Sequence, residues 1–140
     1  MRILSVDYGK KRTGLAVTDP LQIVANGLVT VPTSELMAYI KDYCSREEVE
    51  TIVFGMPKRE NGKDSENLNR VRSFAGRLQK ELPAITIDWY DERYTSVLAH
   101  RTMLDSGIGK KARQNKELVD MISATIILQD YMEAKRFGRR

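Results

Sequence analysis

The sequence predicts an α/β fold: a mixed five-stranded sheet, its first three strands antiparallel, flanked by helices. Three observations predict it. Residues 2–7, Arg-Ile-Leu-Ser-Val-Asp, form a nearly continuous apolar and β-branched run, as a central strand buried on both faces requires. Two further strand-like runs follow across short turns, which makes them antiparallel neighbours. Beyond them, helical patterns alternate with two more short apolar runs, and right-handed crossovers place those strands parallel to the first.

The elements can be taken in order. Residues 15–18 form the second strand, reached through the tight basic turn Tyr8-Gly9-Lys10-Lys11-Arg12 that closes near Gly14. The third runs over 23–31, with a bulge or turn expected at Asn26-Gly27. Thr33 or Ser34 caps a helix whose apolar residues Leu36, Met37, Ile40, Tyr43 and Cys44 recur at helical spacing. Residues 51–54 form a short buried strand. A loop containing Gly62 leads to a helix starting at Asp64 or Ser65, with Leu68, Val71, Ala75, Leu78 and Leu82 on one stripe and Pro83 as its stop. Residues 85–90 form the fifth strand. Thr95 or Ser96 caps a shorter helix ending at Ser106-Gly107, and a basic loop precedes the last helix, over 116–135. The predicted order is β-β-β-α-β-α-β-α-α.

The 140 residues suit one domain, spanning 1–140, with one continuous core. Apolar residues at 41% and charged residues at 30% are the balance of a folded soluble protein and exclude a disordered or fibrous one. No leader pattern and no apolar run of about 20 residues stands in the sequence, and Cys44 is the only cysteine. These features point to a reducing, cytoplasmic setting and away from a membrane. Net charge is only +4, but basic residues cluster at Lys10-Lys11-Arg12, Lys58-Arg59, Lys110-Lys111 with Arg113 and Lys116, and near the C-terminus. Each cluster alone is explained as solvated surface. Several on one face would mark a path for nucleic acid.

Three acidic positions carry the chemistry. Asp7 ends the first strand, where open α/β sheets present functional groups; a turn-forming role before Gly9 explains it equally well. Asp91-Glu92 follow the fifth strand at the same edge of the sheet. Asp120 shares an angular position with Ala124, Ile127 and Tyr131 in the last helix, so its side chain leaves on an inward face. A carboxylate there is costly unless paired, and a salt bridge to Arg93 or a nearby lysine is the structural alternative. The early position in the helix also favours an anion through the backbone dipole. If Asp7, Glu92 and Asp120 converge, their mutual repulsion calls for a cation. Hard oxygen donors without histidine or cysteine suit Mg²⁺ or Mn²⁺ and argue against zinc. Two such ions roughly 3.5–4 Å apart can activate water and stabilise the leaving oxygen in phosphodiester hydrolysis.

These residues carry a family resemblance. The stretch from Asp7 through Gly9, Lys11, Arg12, Gly14, Ala16 and Thr18 to Asp19 closely resembles the opening motif of the YqgF-type family of the RNase H-like superfamily. Its members are named as pre-16S rRNA nucleases or Holliday-junction resolvases. Gly55-Met56-Pro57 through Gly62, Asp91-Glu92-Arg93-Tyr94-Thr95-Ser96, and Asp120 through Ala124 to Ile127-Leu128-Gln129 and Tyr131 match the later motifs in order. Ser123, where the family usually has alanine, is a small departure. The resemblance spans nearly the whole chain and implies an RNase H-like fold. It implies that Asp7, Glu92 and Asp120 are the catalytic, metal-holding acids, with Asp91 the alternative to Glu92. It also implies a hydrolase that matures the 5′ end of pre-16S rRNA in ribosome biogenesis, or alternatively one that cuts four-way DNA junctions. A ribosome-assembly or nucleic-acid-binding factor without catalysis is the rival from another class. Endo- and exonucleolytic action, and a monomer or a homodimer, fit the sequence equally.

Lys11, Arg12 and Arg93 flank the acids, and with Lys110, Lys111 and Arg113 they are candidates for holding substrate phosphates. Neutralising the acids is the equal alternative for Arg12 or Arg93. Gly9 and Gly14 would let backbone approach a phosphate, though a plain hairpin also explains them. Residues 55–63 do not make a nucleotide-binding loop, because the spacing is wrong and Asp64 replaces the required Ser or Thr. A sugar-kinase or actin-like ATPase would need a second domain. His100 falls mid-helix, where a surface or half-buried place is the default, and Trp89 is expected in the core.

Overall fold

β1 (Arg2–Asp7) lies at the centre of a five-stranded sheet of order β3-β2-β1-β4-β5. The structure, a computed structural model, describes residues 1–56, 62–91 and 116–136, and of residues 62–65 and 116–117 only the backbone. β2 (Arg12–Thr18) and β3 (Ala25–Pro32) complete an antiparallel meander, whereas β4 (Val49–Met56) and β5 (Thr86–Asp91) run parallel to β1. The described helices are α1 (Leu36–Arg46), α2 (Gly62–Glu81) and α3 (Lys116–Arg136). The predicted sheet and strand directions are therefore present. The helix expected between β5 and α3 lies outside the described residues.

Strand alternation divides the apolar residues between two faces. Leu4, Val6, Leu15, Val17, Ile52 and Phe54 form one core with Leu36, Ile40, Tyr43, Leu68, Val71, Phe74 and Leu78 of α1 and α2. Ile3, Ala16 and Val53 form the other with Ala124, Leu128 and Tyr131 of α3. Full burial of each large side chain contributes about 1.5–3 kcal/mol. The α3 face carries small residues, so the helix sits low on β1 and β2. There the buried Ser5 hydroxyl donates to the Ala124 carbonyl at 2.6 Å, tying strand to helix.

Several boundaries differ from expectation for identifiable reasons. β3 begins at Ala25 because the Asp19 carboxylate accepts the amides of Leu21, Ile23 and Val24, at 3.1, 2.7 and 2.8 Å, and so holds those residues in the turn. Gln22 completes that turn with a φ of 58°. The expected bulge is present: pairing steps from Leu15↔Val29 to Ala16↔Gly27 and leaves Leu28 over. Neither Thr33 nor Ser34 caps α1. A 3-10 turn, Thr33–Glu35, precedes the helix, Glu35 is the residue at its cap, and no side chain bonds there. The Thr33 hydroxyl is used elsewhere, as described below. α2 starts at Gly62, two residues before the expected Asp64. It buries Leu68, Val71, Ala75 and Leu78 of the predicted stripe and Phe74 in addition, whereas Leu82 falls just past its end at Glu81 and is half-buried. Trp89 packs against the core at 5.4 Å from the Phe54 ring.

Candidate functional site

The site is built where the carboxyl end of β1 meets the first turns of α3. Asp7 pairs with Gly14 of β2, and residues opposed in an antiparallel ladder present their side chains to the same face. That face is the one α3 covers: a Cβ placed on Gly14 would lie 2.0 Å from the Asp120 carbonyl oxygen and 2.4 Å from its carbon. The backbone of Asp120 thus rests on Gly14, one strand spacing, about 4.8 Å, from the backbone of Asp7. Two of the three predicted acids, from opposite ends of the chain, are brought to one place. Both are half-buried.

Gly14 therefore makes room for α3 rather than for a phosphate. Gly9 is explained by its turn, since a Cβ there would lie 2.2 Å from the Arg12 carbonyl oxygen.

Arg12, the first residue of β2, reaches across the same face. Its Nε donates to Oδ2 of Asp120 at 2.7 Å, with the arginine side chain 38% and the aspartate side chain 25% exposed. Of the two roles considered for Arg12, this contact is the neutralising one. The inward-facing Asp120 does have a salt-bridge partner of the kind its position called for, and among the described residues that partner is Arg12; the expected partner Arg93 lies outside them.

The basic turn before β2 is braced by a network that periodicity does not reveal. The Thr33 hydroxyl donates to the Gly9 carbonyl at 2.7 Å and lies 2.9 Å from the hydroxyl of the fully buried Thr13. Thr13 Oγ1 also accepts the Gly9 amide at 3.4 Å, and the Thr33 amide donates to the Lys11 carbonyl at 2.9 Å. Lys10 and Lys11 are consequently exposed on a fixed turn beside Asp7. A threonine within the strand after a basic turn, and another directly after β3, were the signal available in the sequence.

Asp88 stands on the α3 face as well, but its carboxylate accepts the Tyr131 hydroxyl at 2.7 Å and the Trp89 amide at 2.8 Å, so it ties β5 to α3. Asp91 has the alternation of Ile87 and Trp89, which pack into the core of the α1 and α2 face. It therefore sits on the side of the sheet opposite Asp7. Glu92, Arg93, Lys110, Lys111 and Arg113 lie outside the described residues, as does His100. Among the described residues, no group of three or more histidine, cysteine or acidic side chains is placed to hold a metal ion. No described helix is long and apolar enough to cross a membrane.

Comparison with known proteins agrees with this architecture. The chain is 57% identical over 136 residues to a protein of Bacteroides thetaiotaomicron named "Putative pre-16S rRNA nuclease", with 97% of this chain and 99% of that one covered. Relatives of the same name in Porphyromonas gingivalis and Flavobacterium johnsoniae are 54% and 52% identical, covering 94% and 97% of the chain and 96% and 99% of their own lengths. Among solved structures, Thermus thermophilus RuvC in complex with a Holliday junction substrate superposes with a TM-score of 0.66 at 14% identity, covering 99% of this chain and 97% of that one. The fowlpox virus Holliday junction resolvase superposes with a TM-score of 0.54 at 15% identity, covering 96% and 99%. These two likenesses show a shared RNase H-like fold. Residues 1–134 match the family described as RuvX: Holliday junction resolvase, and with the acid-bearing strand and helix that its fold brings together, the chain belongs to that nuclease family.

Proposed function

We propose that the protein is a divalent-metal-dependent nuclease that hydrolyses phosphodiester bonds in structured RNA, and that its substrate is the 5′ end of pre-16S rRNA. The observation that carries this is the meeting of Asp7 and Asp120 across Gly14. The relatives' names supply the substrate class. The donor set fits Mg²⁺ or Mn²⁺, because the side chains brought together are hard carboxylate oxygens. Asp7 and Asp120 would hold the ion, with Glu92 as the third acid. Asp91, whose place in β5 turns it to the far face, is set aside as that acid. When bound, the metal would polarise the scissile phosphate and lower the pKa of an attacking water.

The chain's own residues do the rest. α3 presents Asp120 from a rigid helix pinned by Ser5, and the Thr13–Thr33 pair holds the turn that offers Lys10 and Lys11 to the phosphate backbone. Such contacts position nucleic acid without reading its sequence. Arg93, Lys110, Lys111 and Arg113 are proposed to extend that basic path.

A second reading, cleavage of four-way DNA junctions, is favoured by the family's description and the RuvC-like fold. Such an enzyme would work as a symmetric dimer, to cut two strands at related positions. The test offers a pre-16S rRNA fragment and a synthetic four-way junction side by side to purified protein and its Asp7→Asn variant in Mn²⁺. Cleavage of the rRNA fragment alone, abolished by Asp7→Asn, is the expected result. Cleavage of the junction alone would transfer the assignment to the second reading. Cleavage surviving the substitution would remove Asp7 from the chemistry, and RNA binding with no cleavage would leave a binding factor.

A further inference from the structure

We propose that Arg12 competes with the divalent cation for Asp120, so that loading the metal requires the guanidinium to leave. This rests on the metal-dependent reading above. The Nε of Arg12 lies 2.7 Å from Oδ2 of Asp120, hydrogen-bonding distance to one of the two oxygens of a carboxylate proposed to hold the ion. A divalent cation of the Mg²⁺ class binds carboxylate oxygen at about 2.0–2.1 Å and demands near-octahedral surroundings. A guanidinium bonded to that oxygen occupies the approach to it and repels the incoming charge. The two cations therefore compete at Asp120, by contact for Oδ2 and by charge for the carboxylate as a whole.

The arrangement also shows why an arginine stands here. Asp120 is half-buried on the inward side of its helix, where a carboxylate is costly unless paired. Arg12 supplies a positive charge from within the chain. Its engagement is light: one N–H of the five a guanidinium carries makes the bond, and more than a third of the side chain is exposed. Release is thus a rotation of an exposed side chain, with no movement of backbone. Once released, Arg12 remains anchored at the start of β2 beside the Lys10–Lys11 turn, where its fork is suited to a phosphate. Metal loading thereby converts a counter-ion into a substrate-binding group.

The test is calorimetric titration of Mn²⁺ into the full-length protein and its Arg12→Gln, Arg12→Lys and Asp7→Asn variants. Thermal midpoints are measured in EDTA and in Mn²⁺. Arg12→Gln keeps much of the side chain's length without its charge and is expected to bind Mn²⁺ about tenfold more tightly, equivalent to about 1.4 kcal/mol. Its midpoint should be lower than that of the unmodified protein in EDTA, and the difference should shrink in Mn²⁺. Arg12→Lys, which retains a charge, should stay within about threefold of the unmodified affinity. A merely structural role would weaken the site, so equal or weaker binding by Arg12→Gln overturns the proposal while the metal reading stands. Should Arg12→Gln fail to fold, an Arg12→Lys affinity raised as far as tenfold would also overturn it, because the charge is still present. Absence of any Mn²⁺ binding that Asp7→Asn removes would overturn both the metal reading and this inference.

Discussion

Replacing Gly14 by alanine tests how closely site geometry depends on the approach of α3 to the sheet. The added Cβ would lie 2.0 Å from the Asp120 carbonyl oxygen, 2.4 Å from its carbon and 3.0 Å from the Met121 amide nitrogen. All three are backbone atoms of a helix, so no rotamer change relieves the clash, and ordinary carbon contacts lie near 3.5–4.0 Å. The start of α3 must lift by about 1 Å or more. Overpacking of this kind costs about 1–3 kcal/mol, and at this chain length each kcal/mol lowers the melting temperature by about 2–5 °C. Displacement of a reacting group by about 1 Å can cost on the order of 100-fold in rate. Gly27→Ala is the control, because its Cβ would meet the Met121 side chain, with Cγ at 2.8 Å and Sδ at 3.1 Å, a flexible group able to move aside. Thermal melts and Mn²⁺-dependent cleavage should show Gly14→Ala losing far more activity than its unfolded fraction accounts for, and Gly27→Ala losing little. Equal activity in the two variants, both folded at the assay temperature, would refute the argument that Gly14 sets the place of Asp120.

Three further outcomes follow from particular contacts. Ser5→Ala removes the buried hydroxyl bonded to the Ala124 carbonyl and should lower stability by about 1 kcal/mol in denaturant titration, with cleavage reduced as the anchoring of α3 loosens. Backbone amides, Val24 foremost, hold the Asp19 carboxyl below its ordinary 3.8. Its stabilising effect is therefore fully present above about pH 4 and lost as pH falls through the lowered value. Asp19→Asn should melt below the unmodified protein at pH 7, with the difference closing in acid. Burial pushes the Cys44 thiol above its ordinary 9.0, so less thiolate is present at neutral pH. Alkylation in the folded protein should be slower than in urea; equal rates would contradict the packing of Cys44, from α1, against the core.

Much of this architecture was legible in the amino-acid order because it rests on local chemistry. The apolar run of β1, the helical stripes of α1 and α2 and the stop at Pro83 are all dictated by periodicity and by proline's missing amide. The order of elements then leaves right-handed crossovers little choice of sheet. Asp7 and Asp120 were recognisable as candidates because one ends a buried strand and the other sits on the apolar side of a helix. Which partners those groups meet was decided by tertiary structure alone. Periodicity places Asp120 inward, yet only the packing of α3 onto Gly14 brings it beside Asp7 and gives it Arg12 as counter-ion. Thr33 reads as a helix cap from its neighbours in sequence, but the carbonyl it bonds belongs to Gly9, brought near by the meander. Asp91 and Glu92 are indistinguishable by composition, and it is the phase of β5 against the core that turns Asp91 to the far face. Covalent neighbours determine which elements form; contacts between residues distant along the chain depend on how those elements pack, and the candidate site consists of such contacts.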